Sequence, residues 1–115
     1  MTDIQKAPYQ KETTGSLESQ SDMLKKLEVT KEQNMELNNY CDDNNIIFLT
    51  TPFDEESLDE TDQLDLPAYK VSSTDTTNLP FLKKIAKKGK PIILSTGMSY
   101  LSEIKLALKT IHNYN

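Results

Sequence analysis

Three short apolar runs of this chain each end in hydroxyl-bearing residues, and one of them carries a cation. The run 46–50 (Ile-Ile-Phe-Leu-Thr) ends at Thr50 and Thr51. The run 68–71 (Ala-Tyr-Lys-Val) holds Lys70 and leads into Ser72 and Ser73. The run 91–95 (Pro-Ile-Ile-Leu-Ser) leads into Thr96 and Gly97. Hydroxyl donors and an ammonium gathered at strand ends, with a helix opening at Ser99, are suited to holding a phosphate or a carboxylate, because a helix N-terminus presents free N–H groups and positive potential. Gly97 lets a ligand come close to backbone, and Asp75 lies just outside the rim.

Plainer roles compete for each of these residues. A lysine at a strand end can simply reach solvent, and Ser95-Thr96-Gly97 can be an ordinary turn. The seven acids between Asp54 and Asp65 read as a solvated helix face, since helical spacing splays them outward and a metal needs convergent ligands. Lys83, Lys84, Lys87, Lys88 and Lys90 gather at a helix C-terminus, where the dipole favours cations. Cys41 shares an apolar stripe with Leu37 and reads as an inert core thiol. His112 stands alone, without a second histidine for a metal pair.

The elements that must position the rim follow from periodicity and punctuation. Residues 1–18 are polar and aperiodic and read as a loop entering the fold. Residues 19–115 read as the βα units. Ser19 can cap a short helix with Met23, Leu24 and Leu27. Thr30 with Gln33 forms a capping box for a second helix, ended by residues 42–45. An acidic helical stretch, 54–64, places Leu58 and Leu64 on one face. Thr77 can cap a helix over 79–88, stopped by Gly89. A last helix carries Leu101, Ile104, Leu108 and Ile111. Each apolar run is thus followed by one helix. Unbroken apolar runs belong to strands covered on both faces, the habit of parallel sheets, and strand–helix repeats imply right-handed βαβ units. The fold class is therefore α/β, with about three parallel strands. It is either a doubly wound sheet or a partial (β/α)8 barrel, and the absence of a Gly-x-Gly-x-x-Gly motif withholds support from a dinucleotide fold. A whole barrel takes roughly 250 residues, against 115 here.

Composition narrows the function classes. Hydrophobic residues make up 36% of the chain and the formal net charge is -5. All 13 basic residues are lysine, so the arginine fork that most often reads guanine is missing, and an acidic surface repels phosphate backbones. Nucleic acid is not an expected partner. No stretch approaches the roughly 20 apolar residues of a membrane span. One cysteine and no secretion signal fit a reducing cytoplasm.

A set of motifs adds to this. Tyr9-Gln10-Lys11, Thr13-Thr14-Gly15, Glu18-Ser19-Gln20 and Met23-Leu24-Lys25-Lys26-Leu27-Glu28 come first. Phe48-Leu49-Thr50-Thr51-Pro52-Phe53-Asp54, Pro67-Ala68-Tyr69-Lys70-Val71 and Thr77-Asn78-Leu79-Pro80 follow. The last is Gly89-Lys90-Pro91-Ile92-Ile93-Leu94-Ser95-Thr96-Gly97-Met98-Ser99. Together, and in this order, they resemble the central region of the sialic acid synthases, the N-acetylneuraminate synthase family.

The resemblance implies a (β/α)8 barrel of which this chain holds the third to fifth strands. It implies a transferase that condenses phosphoenolpyruvate with N-acetylmannosamine or a related amino sugar, with manganese or magnesium in the complete enzyme, itself a homodimer. Thr51, Lys70, Ser73 and Ser95 fall on the family's phosphoenolpyruvate positions, with Asp75, Thr96 and Gly97 behind them. Strand alternation alone would favour Ser72 over Ser73; the family pattern favours Ser73. Where the family has glycine then glutamate, this chain has Thr74 and Asp75. The catalytic glutamate, the metal-binding histidines and the antifreeze-like domain are expected outside 1–115, so no catalytic or metal-ligating residue is assigned here. Two readings follow: the phosphoenolpyruvate side of a synthase, or a non-catalytic remnant or assembly fragment, inactive alone.

Overall fold

The computed structural model describes residues 19–115; the expected entry loop, 1–18, lies outside the described residues. The chain divides into two compact units, Met1–Asn34 and Met35–Asn115. In the first, helix α1 (Gln20–Leu27) starts where the sequence places it, with Ser19 Oγ accepting from the Asp22 N–H at 3.2 Å. Ser21 and Met23 are buried. Helix α2 (Lys31–Asp43) opens on the expected capping box: Gln33 N–H donates to Thr30 Oγ1 at 3.2 Å, and Thr30 N–H donates to Gln33 Oε1 at 2.9 Å.

The second unit is built on a two-stranded parallel sheet. Helix α3 (Glu55–Asp62) precedes strand β1 (Tyr69–Val71), helix α4 (Leu79–Ala86) crosses over to strand β2 (Ile92–Leu94), and helix α5 (Leu101–Tyr114) follows. The register pairs Tyr69 with Ile92, Lys70 with Ile93 and Val71 with Leu94. Alternation sorts the side chains cleanly. Tyr69 and Val71 are buried, with Ile92 and Leu94 packed against the same cluster of Leu58, Phe81, Leu82, Ile85 and Ala107. Lys70 and Ile93 point to the opposite face, where Ile93 is 47% exposed. One face of the sheet thus carries the core and the other carries the lysine.

The chain is α/β as expected, but the described residues hold two strands rather than three. The run 46–50 forms no ladder. Its first amide is already engaged elsewhere: α2 ends in a Schellman closure, with Asn45 at φ 56, its N–H donating to the Asp42 carbonyl at 3.1 Å, and the Ile46 N–H donating to the Cys41 carbonyl at 2.9 Å. Ile46 and Ile47 are left 61% and 72% exposed. A strand exists only through a neighbour's rungs, and β1 pairs with β2 alone in this sheet.

Three smaller expectations also change. Asn78, not Thr77, caps α4: its Oδ1 accepts from the Phe81 N–H at 3.4 Å. The helix begins at Leu79, so Asn78 holds the N-cap position, where asparagine is among the preferred residues. Cys41 is not core: it is only half-buried, beside exposed Leu37 and Tyr40, and α2 buries no residue fully. Helix α4 ends at Ala86 with Lys87 as its C-cap, short of the expected Lys88, and Gly89, at φ 72, closes the turn that follows. Among the described residues no helix is long and apolar enough to cross a membrane.

Candidate functional site

The crossover sets the site. Lys70 sits mid-strand on the open face of β1, and Ser95 is the first residue past β2, two positions beyond Ile93, the residue that pairs with Lys70. Residues two apart share a face, so the fold aims both side chains the same way. The Lys70 ammonium donates to Ser95 Oγ at 2.6 Å and to the Val71 carbonyl at 3.0 Å. A charge-assisted bond of this length fixes a long, otherwise mobile side chain. Lys70 remains half-exposed, so its other donor is accessible to a ligand.

The remaining rim residues are placed unevenly. After Val71 the chain turns off sharply, with the Asp75 N–H donating to the Ser72 carbonyl at 3.0 Å and Ser72 Oγ accepting from the Thr74 hydroxyl at 3.0 Å. Ser73 is half-buried in this turn, and its side chain makes no hydrogen bond among the described residues. Thr51 is likewise half-buried and unbonded, in a segment without a ladder. Thr96 and Gly97 are exposed, in a turn where the Ser99 N–H donates to the Thr96 carbonyl at 3.1 Å. The structure therefore bonds Lys70 to Ser95, and among the described residues no hydrogen bond joins the Thr51 or Ser73 side chain to that pair.

Asp75 is buried, at 8% exposure, with Oδ1 facing Asn78 Nδ2 at 3.5 Å and Oδ2 without a partner. Ser99 Oγ is also buried and unpartnered. Among the described residues no three His, Cys, Asp or Glu side chains converge to hold a metal ion.

Sequence reasoning missed two arrangements. Thr76, fully buried, donates its hydroxyl to the Ser95 carbonyl at 2.7 Å. Nothing in the polar run 72–78 marks it out, because its burial depends on the turn closing against β2. The acids of α3 and of the turn after it are also more than a solvated face. Asp62 accepts from the Tyr69 hydroxyl and pairs with Lys88, Glu55 pairs with Lys84, and Asp65 pairs with Lys90 at 2.7 Å. Lys83 and Lys87 stand over the Tyr114 ring at 4.5 and 5.8 Å. The lysine cluster is thus held by specific partners and not by the helix dipole alone. Burial pushes the Asp62 carboxyl up, but the bonds from Lys88 and Tyr69 and the charges of Lys88 and Lys90 outweigh it, so the carboxyl sits below the ordinary value of 3.8. Burial and Asp62 together hold the Tyr69 phenol protonated well above its usual range.

A wider groove, of about 610 Å³, opens between Asn38, Asp42, Asn45, Ile46 and Phe48 on one side and residues 64–67 on the other. It lies toward the N-terminal end of β1, near the Lys90 ammonium, which donates to the Leu66 carbonyl at 2.8 Å. In parallel α/β folds that end carries stability, whereas ligands meet the C-terminal ends of the strands.

Comparison with known proteins decides the ancestry. The model of the NeuB family matches residues 1–115. The chain belongs to the NeuB family. It is 50% identical over 110 residues to the N,N'-diacetyllegionaminic acid synthase of Campylobacter jejuni, an alignment covering 96% of this chain and 33% of that protein. Against the human N-acetylneuraminate-9-phosphate synthase it is 35% identical over 89 residues, 77% of this chain and 25% of that one. The crystal structure of the N-acetylneuraminic acid synthetase of Leptospira borgpetersenii superposes with a TM-score of 0.80 at 28% identity, covering 90% of this chain and 36% of that one. This NeuB-family chain thus spans about a third of the length of the Campylobacter relative.

Proposed function

We propose that the chain supplies the phosphoenolpyruvate-binding rim of a nonulosonic acid synthase, built as part of a (β/α)8 barrel. The complete enzyme would condense phosphoenolpyruvate with N-acetylmannosamine or a related amino sugar. The supporting observation is the Lys70 to Ser95 bond of 2.6 Å at the C-terminal ends of adjacent parallel strands, in a chain whose relatives are named as such synthases. The ammonium neutralises one charge of the phosphate and the serine hydroxyl donates to another oxygen, holding the enol ester in place for the sugar. The acceptor-binding groups, the catalytic base and the metal ligands belong to other parts of the barrel.

The test is titration of phosphoenolpyruvate into the purified chain and its variants. Lys70→Ala removes the ammonium and is expected to weaken binding roughly 10-fold to 100-fold, the worth of about 1.5–3 kcal/mol for a bond to a charged group. Lys90→Ala removes an ammonium at the other end of the sheet and serves as the control. Equal affinities for the two variants would overturn the assignment.

A further inference from the structure

The ladder between β1 and β2 ends with the Ser95 N–H donating to the Val71 carbonyl at 3.1 Å. One rung further, a parallel ladder would bring the Ser73 N–H to the Ser95 carbonyl. The strand turns off first, closed by the Asp75 N–H on the Ser72 carbonyl at 3.0 Å. The acceptor this leaves is taken by the Thr76 hydroxyl at 2.7 Å. Thr76 is fully buried, so bulk water has no access to replace that donor. Residue 95 is therefore pinned at three atoms: its N–H by Val71, its carbonyl by Thr76, and its Oγ by the Lys70 ammonium.

We propose that Thr76 is a positioning residue for the Lys70–Ser95 anion site. It touches no ligand. Its hydroxyl fixes the peptide plane after Ser95, which holds Cα and Cβ of Ser95 where Oγ meets the ammonium, and which sets the direction of the exposed turn at Thr96 and Gly97. A hydroxyl is needed there: an apolar side chain of the same shape would fill the space and leave the carbonyl without a donor. The proposal rests on the reading of Lys70 and Ser95 as phosphoenolpyruvate ligands for its consequence in binding, but not for the coupling between Thr76 and the pair.

Two readouts separate these. The first is titration of phosphoenolpyruvate into the chain carrying Thr76→Val, which keeps the shape, Thr76→Ser, which keeps the hydroxyl, or Lys70→Ala. The second needs no ligand: the NMR signal of the Lys70 ammonium nitrogen, which responds to its bond with Ser95. Thr76→Val is expected to weaken binding roughly 3-fold to 10-fold, the worth of one neutral hydrogen bond, and to move the Lys70 signal. Thr76→Ser is expected to restore both. Should Thr76→Val fail to unfold cooperatively, Thr76→Cys, a much weaker donor, takes its place with the same expectations. A Thr76→Val or Thr76→Cys chain with the parent's affinity and an unmoved Lys70 signal overturns the positioning role. Parent-like affinity in Lys70→Ala overturns the phosphoenolpyruvate reading instead, and the Lys70 signal in the Thr76 variants then decides the coupling by itself.

Discussion

The Lys70 ammonium and Ser95 Oγ, 25 residues apart in sequence, meet at 2.6 Å because β1 and β2 pair in one register. Helix α4 spans the distance between them and buries Phe81, Leu82, Ile85 and Ala86 in doing so. The chemistry of the rim thus depends on the packing of a helix that contributes no group to it.

Among the serines and threonine of the rim, the geometry ranks the effects. Ser95→Ala is expected to cost phosphoenolpyruvate binding about 0.5–1.5 kcal/mol, because it removes both a donor to the ligand and the partner that holds Lys70. Ser73→Ala and Thr51→Ala, whose side chains are bonded to nothing among the described residues, are expected to cost less. Calorimetric titration of the three variants checks the order, and a larger loss for Ser73→Ala than for Ser95→Ala would reverse it.

Acid should loosen the second unit through Asp62. Its carboxyl is held below the ordinary 3.8 by Lys88 and Tyr69 against the opposing pull of burial. A depressed carboxyl binds its proton more weakly when folded than when unfolded. Its contribution is therefore present above the ordinary value and lost as pH falls through the folded one. The melting temperature is expected to decline from about pH 5 downward, with a shallower decline in Asp62→Asn. Identical slopes for the two chains would remove Asp62 from the account.

Leu82 is fully buried at the centre of the cluster that joins α4 to the sheet and α5. Leu82→Ala removes the transfer energy of its side chain and leaves a cavity, for an expected loss of about 2–5 kcal/mol. Leu108→Ala, at a residue 54% exposed on α5, is expected to change stability by about 0.5 kcal/mol or less. Denaturant titration of both variants measures the contrast.

The two described glycines separate backbone need from ligand need. Gly89 sits in the turn after α4 at φ 72, where a side chain is strained although nothing stands within 4 Å of it. Gly89→Ala is expected to lower stability by about 1 kcal/mol. Gly97 has an ordinary φ and open space where a β-carbon would stand. Gly97→Ala is expected to leave the melting curve alone and to weaken phosphoenolpyruvate binding by obstructing the ligand's approach. Unchanged affinity in Gly97→Ala would mean that the ligand stays clear of that turn.

Local signals in the sequence carry the helices well. Ser19, Thr30 with Gln33, and Gly89 each act within four residues, and each appears in the structure where its chemistry places it. The pairing of β1 with β2 is also legible, since two apolar runs bracket one amphipathic helix. The run 46–50 reads as a strand and is not one, because apolar content marks what can enter a ladder, whereas the ladder itself needs a neighbour. That Lys70 and Ser95 lie on neighbouring strands is legible from the apolar runs that carry them, and the structure adds the bond between them. Thr76 and the Asp62 network are not legible, because each is defined by a contact across the fold: Thr76 lies 19 residues from Ser95, and Asp62 lies 26 from Lys88. Thr76 and Thr77 look alike in sequence, and only the turn after Val71 decides that one is buried at 0% and the other exposed.

The three-residue length of each strand has a genetic consequence. Inserting or deleting a single codon within residues 92–94 reverses the alternation, turning Ser95 toward the apolar cluster and away from Lys70, while every residue of the rim survives unchanged. The same lesion in the exposed turn at 96–98 leaves the register intact. Frame-preserving indels should therefore be far more damaging inside these three codons than immediately after them, a contrast that substitution scanning of the same positions cannot reveal.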